Sequence, residues 1–116
     1  MRRLVVIAGP ANTGKMPLAR KLMAEDPDLL LVHRDYLRDS LHNQLDEGYI
    51  TLLMGDLARG ILRLGRSPIV VAWNLESFDW YLWHQVAQEF NVPINWLDVR
   101  EPHVAAQIPP EEPTVG

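Results

Sequence analysis

Residues 4–17 read Leu4-Val5-Val6-Ile7-Ala8-Gly9-Pro10-Ala11-Asn12-Thr13-Gly14-Lys15-Met16-Pro17. Five apolar residues run straight into a glycine-flanked turn, and a lysine closes the turn where a helical pattern begins. A strand that feeds such a turn and then a helix leaves several backbone N–H groups pointing into one hollow, to which the helix dipole adds partial positive charge. The stretch reads as an anion site with the shape of a phosphate-binding loop. Lys15 would reach terminal phosphates, Gly9 and Gly14 permit the backbone geometry, and Asn12 stands where glycine is common but tolerates positive φ. Gly9, Asn12, Thr13, Gly14 and Lys15 are therefore the expected nucleotide-binding residues, with ATP as the expected ligand.

Two residues depart from the usual pattern. A serine or threonine normally follows the lysine and gives its hydroxyl to Mg²⁺, whereas Met16 has no useful oxygen. Pro17 has no N–H, which removes one donor, and it biases Met16 away from helical dihedrals, so the helix is expected to start late. The alternative is that a first-turn proline is tolerated and Met16 simply packs.

Outward from the loop, four apolar runs over 4–8, 29–33, 69–72 and 94–99 alternate with segments of helical period. This alternation predicts an α/β fold with a parallel sheet and helices on its faces. Leu18, Ala19, Leu22 and Met23 share one face of the first helix, which Asp26-Pro27-Asp28 ends. Leu37, Leu41 and Leu45 repeat every fourth residue in a second, and Ile50, Leu53, Met54, Leu57, Ile61 and Leu64 form a stripe in a third that Gly65 closes. Ser77 caps a last helix carrying Phe78, Leu82, Val86 and Phe90. Residues 1–101 are expected to form one domain, followed by an irregular Pro-rich tail over 102–116.

A net charge of −4 with 47% hydrophobic residues excludes a large nucleic-acid footprint, so any polynucleotide contact is local. The absence of cysteine excludes disulfides and thiolate metal sites, and no apolar run approaches the ~18 residues of a membrane span. The apolar stretch after Met1-Arg2-Arg3 breaks too early for a signal peptide, and a cytoplasmic location is expected.

The loop at Gly9 to Lys15, Asp35-Tyr36-Leu37-Arg38 beyond the second strand, the Gly65-Arg66 turn and Asn74-Leu75 together resemble the P-loop kinase group that contains phage-type 5′-hydroxyl polynucleotide kinases. The likeness runs over most of residues 3–100. It implies a three-layer P-loop NTPase fold with a four-stranded parallel sheet in the order 2-3-1-4. It also implies that Asp35 is the general base on an acceptor hydroxyl and that Arg38 holds phosphate, which with Lys15 makes the catalytic set. A carboxylate at the carboxyl edge of a parallel strand independently suits that crevice, and an arginine about one helical turn on can grip phosphate with a bidentate fork. The alternative reading of Asp35 is a helix N-cap, which can coexist with the role of base, and that of Arg38 is a solvated helix residue. His33-Arg34-Asp35 matches the protein-kinase triplet only by chance, because the chain is far too short and Ser40 stands where asparagine is required.

The resemblance breaks at three places. Ala72 ends the third apolar run where these kinases place an acid that steadies the metal, so together with Met16 it leaves Mg²⁺ without its protein anchors, and no metal-binding residue is expected. No Lys or Arg follows Arg100 to form an arginine lid, although a partner subunit could donate one. Trp73 replaces a small polar residue and is expected to plug the pocket mouth, the alternative being that it stacks on a base. Trp80, Tyr81 and Trp83 follow Ser77 closely enough that some rings are expected to face outward, as a homodimer surface through the Trp80/Trp83 helix or, alternatively, to wrap round and cover the sheet. His42, His84 and His103 lack metal-ligand spacing. Two functions follow: an ATP-dependent kinase acting on a hydroxyl such as the 5′ end of a nucleic acid, or a catalytically degenerate kinase fold kept for ligand or protein binding. Hydrolysis coupled to a partner is a weaker third.

Overall fold

The computed structural model describes residues 2–9, 14–72 and 77–98. Its elements in chain order are β1 (Leu4–Ala8), α1 (Lys15–Glu25), β2 (Leu29–His33), α2 (Arg34–Ser40), α3 (Glu47–Arg63), β3 (Ser67–Ala72), α4 (Ser77–Glu89) and β4 (Ile94–Asp98). The strands form one parallel sheet in the order β2-β3-β1-β4. Residues 10–13, 73–76 and 99–116, which include Asn12, Thr13, Trp73, Asn74 and the Pro-rich tail, lie outside the described residues.

Alternation along each strand divides its side chains between two cores. Leu4, Val6, Val32, Val70 and Trp96 point to one face, where α3 and α4 cover them. Val5, Ile7, Leu29, Ile69 and Val71 point to the other, where α1 lies. The three layers are thus α1, the sheet, and the remaining helices.

Three expectations about helices need correction. The second helix stops at Ser40, because His42 and Asn43 both take left-handed backbone (φ 55° and 58°), and Leu45 lies beyond it, partly exposed. In α3 the inner face consists of Ile50, Thr51, Met54, Gly55, Ala58, Ile61 and Leu62, whereas Leu53, Leu57 and Leu64 face outward. Trp80 and Trp83 are buried, as the alternative reading holds, and among Trp80, Tyr81 and Trp83 it is Tyr81 that is exposed. The reason is the position of α4: Trp80 meets Trp96 of β4 edge-on at 6.3 Å, while Leu82 presses on Gly55 of α3. A homodimer through a Trp80/Trp83 surface therefore loses its rings to the core.

Helix ends follow the local chemistry. Asp46 caps α3 by accepting a hydrogen bond from the Tyr49 amide at 3.2 Å. At the other end Gly65 turns left-handed (φ 81°) and the Arg66 amide bonds back to the Ile61 carbonyl, which stops the helix as its sequence predicts. Arg66 then ties the base of β3 to the turn before β2, donating to the Pro27 carbonyl at 2.7 Å and pairing with Asp28. It sits at the amino end of the sheet, opposite the candidate site.

Candidate nucleotide site and its acceptor side

The site is built at the carboxyl ends of β1 and β2. Gly14 occupies the N-cap of α1 with φ 90° and ψ 22°, a conformation that L side chains rarely take, and open space surrounds the place a Cβ would fill. The Leu18 amide donates to the Gly14 carbonyl at 3.2 Å, so α1 begins at Lys15, ahead of the proline. Pro17 therefore does not delay the helix. It is the third residue of α1, where an N–H would lack an intrahelical acceptor in any case. Met16 packs against the apolar cluster of Val5, Ile7 and Ala19, as its alternative reading holds.

Lys15 Nζ donates to the Gly9 carbonyl at 2.6 Å, so the ammonium is folded over the start of the loop. Partial burial lowers its pKa, and the negative charge of Asp35 works in the opposite direction. Each of these two groups feels the other's charge, and both stand at the carboxyl end of the sheet, where the expected phosphate lysine follows β1 and the expected base follows β2.

Asp35 is the second residue of α2 and is exposed. Its expected capping role belongs instead to His33, whose Nδ1 accepts from the amides of Asp35 at 3.1 Å and Tyr36 at 3.4 Å. The His33 ring also stacks on Tyr36 with centroids 4.3 Å apart. Burial lowers the pKa of His33, keeping Nδ1 unprotonated so that it can accept. Histidine is outside the usual Ser/Thr/Asp/Asn capping set, which hid this role in the sequence.

Arg38 Nη1 donates to Asp35 Oδ1 at 2.6 Å, and this bond is the largest cause of the lowered pKa of Asp35. The same guanidinium holds Glu47 at the start of α3, through Nε to Oε2 at 3.0 Å and Nη2 to Oε1. Its own pKa is raised, first by Glu47 and then by Asp35. Arg34 reaches Glu47 as well, with Nη1 3.5 Å from Oε1 and 3.3 Å from the main-chain oxygen, and Nη2 donates to Thr51 Oγ1. Glu47 and Arg34 were missed as site residues, and only Asp46-Glu47 as a helix-start pattern marks the place in sequence.

Mg²⁺ is the ion that ATP chemistry on this fold implies. Met16 offers a thioether to the apolar core and Ala72 at the end of β3 carries only a methyl group, so neither fits a hard cation that takes oxygen ligands. Among the described residues, no group of three or more His, Cys, Asp or Glu is placed to hold a metal. None of the described helices is long and apolar enough to cross a membrane.

No protein-family model and no curated protein matches the chain. Solved structures do. A Chloroflexus aurantiacus protein described as a kinase aligns with a TM-score of 0.70 and 17% identity, over 84% of this chain and 58% of that one. A chain of the Pnkp1/Rnl/Hen1 complex aligns with a TM-score of 0.70 and 18% identity, over 98% of this chain and 42% of that one. The Mycobacterium tuberculosis APS kinase CysC aligns at 0.65 and 18% identity, over 84% of this chain and 75% of that one. The chain thus has a P-loop kinase-like fold, and it spans 58% and 42% of the first two of these structures.

Proposed function

We propose that the chain binds ATP in the loop from Gly9 to Lys15 and transfers its terminal phosphoryl group to a hydroxyl, with a polynucleotide 5′-hydroxyl as the acceptor. The observation that supports this reading is that Lys15, at the start of a helix entered through left-handed Gly14, stands at the same carboxyl end of the sheet as Asp35 and Arg38 beyond β2, close enough for Lys15 and Asp35 to feel each other's charge. In this reading Gly9, Asn12, Thr13 and Gly14 offer backbone N–H groups to the phosphates while Lys15 leaves the Gly9 carbonyl to neutralise them. Asp35 accepts the acceptor's proton as its oxygen attacks phosphorus, the bond to the bridging oxygen breaks, and ADP leaves. Arg38 holds phosphate on the acceptor or in flight.

A second reading, a degenerate kinase fold kept for binding, is favoured by Met16 in the apolar cluster and by the tight hold of Arg38 on Asp35, which lowers the basicity of the proposed base. Calorimetric titration with ATP, with and without Mg²⁺, tests the shared part of both: Lys15→Ala should abolish measurable binding, and an unchanged affinity would remove the loop from the site. Transfer of labelled phosphate from ATP to a 5′-hydroxyl oligonucleotide separates the two. Asp35→Ala should eliminate transfer while ATP binding persists, and a wild type without transfer leaves the binding reading standing.

A further inference from the structure

Glu47 lies between two arginines that come from a different helix. Its Oε1 is shared by Arg38 Nη2 and Arg34 Nη1, and its Oε2 takes Arg38 Nε. Two guanidinium groups converging on the oxygens of one anion is the arrangement by which proteins bind phosphate. Both guanidinium-bearing side chains are largely buried, at 13% and 28% exposure, whereas that of Glu47 is 57% exposed. The carboxylate can therefore rotate into water while the arginines stay. Nor does the helix depend on it, because Asp46 makes the capping bond of α3.

Charge points the same way. Arg34 and Arg38 carry +2, and Asp35 and Glu47 carry −2, so these four groups sum to zero. With Glu47 swung out, Arg34, Arg38 and Asp35 sum to +1 beside an acceptor that brings negative charge. We propose that Glu47 is an internal competitor for an acceptor phosphate: it fills the Arg34–Arg38 fork in the free protein and must leave for a phosphate monoester or diester to enter. This rests on the reading of Arg38 as a phosphate-holding residue. It adds Arg34 as the second prong and makes Glu47 a positioning and selectivity residue, one that admits anions strong enough to displace it and leaves Arg38 directed at Asp35 until they do.

The test uses inorganic phosphate as the probe and the Nε–Hε NMR resonance of Arg38, assigned by its loss in Arg38→Lys. For Glu47→Gln, half-saturation should fall at a phosphate concentration about three- to tenfold lower than in wild type, the range expected when an exposed competing ion pair is removed. Glu47→Asp, whose shorter arm draws the carboxylate off the fork, should show a smaller gain, and Arg34→Lys added to Glu47→Gln should cancel most of it. A merely structural role for Glu47 predicts unchanged or weaker phosphate binding in both variants, and that result overturns the proposal. Should Glu47→Gln fail to fold, Glu47→Asp decides by the same criterion. The nucleotide reading fails separately, through an ATP affinity indifferent to Lys15→Ala, and that outcome leaves the Arg38 titration to be judged alone.

Discussion

The two faces of the sheet differ in how they are covered, and each half of the proposed site stands on a different face. On the α3/α4 side, the described residues include fifteen buried apolar side chains, three of them tryptophans, with Leu37 and Leu41 of α2 leaning on the same cluster. On the α1 side there are six, with Met16, Leu18, Leu22 and Met23 only partly buried against them. One short helix cannot exclude water as two longer ones do. The phosphate-loop half therefore rests on the lean face and is organised by backbone, one lysine and one left-handed glycine. The acceptor half, on the heavy face, is wired by side chains: Arg34, Arg38, Asp35 and Glu47. Regions with few buried apolar contacts open at lower free energy, so local opening should begin at α1 rather than at α2 or α3.

Removing one large side chain from each face would break this comparison most directly. Trp83→Ala, from a fully buried site, should cost about 3–5 kcal/mol, while Leu22→Ala on the lean face should cost roughly 1–2 kcal/mol. Urea unfolding followed by circular dichroism measures both. Equal losses would mean that α1 is held as firmly as α4.

Met16→Ser sharpens the comparison from the functional side. It withdraws a partly buried thioether from the lean core, which should cost about 1 kcal/mol, and returns a hydroxyl to the place where Mg²⁺ finds one in loops of this type. Calorimetry should then show ATP affinity rising on addition of Mg²⁺ in the variant but not in wild type. An affinity indifferent to Mg²⁺ in both would put the decisive loss at Ala72, where β3 ends without a carboxylate.

Much of the fold was legible because strand signals are local. Each apolar run fell on a strand, and a continuous apolar run of this length reads as a strand buried on both faces without reference to distant residues. The order β2-β3-β1-β4 was available only through the family resemblance, since periodicity says nothing of neighbours. The buried side of α3 was misread for a physical reason: Tyr49, Leu52, Leu53, Leu57 and Leu64 continue the apolar character round to the solvent side, so more than one stripe fits. The tryptophans of α4 were ambiguous because their burial depends on α3 and β4 lying on either side. Lys15 was marked by its place in the loop, and Asp35 and Arg38 were named through the family resemblance. Their wiring was not legible, because Glu47 reaches Arg38 across the left-handed turn at His42 and Asn43.

The smallest effect concerns His33, at the end of β2 where the two halves meet. Its Nδ1 accepts two amide bonds, so the cap needs the neutral ring, and burial accordingly holds its pKa below the ordinary histidine value of about 6.5. Asp35 opposes this shift, while Lys15 and Arg38 add to it. A pKa lower in the folded than in the unfolded chain means that the unfolded chain binds the proton more readily. The contribution is thus complete above the unfolded value and is lost as pH falls through the folded one. The carboxylates of Asp35 and Glu47, also lowered, lose theirs only below the ordinary carboxylate range, so the interval from pH 7 to 5.5 isolates histidine. His33→Asn keeps a good cap that does not titrate. Thermal melts should show wild type losing up to about 1 kcal/mol more than His33→Asn over that interval, the ordinary worth of an N-cap. The remaining histidines contribute equally to both proteins and cancel. If the two lose stability in parallel, His33 does not cap α2 through a neutral ring, and the start of α2 that sets Asp35 and Arg38 must be held by Arg34 and Thr51 instead.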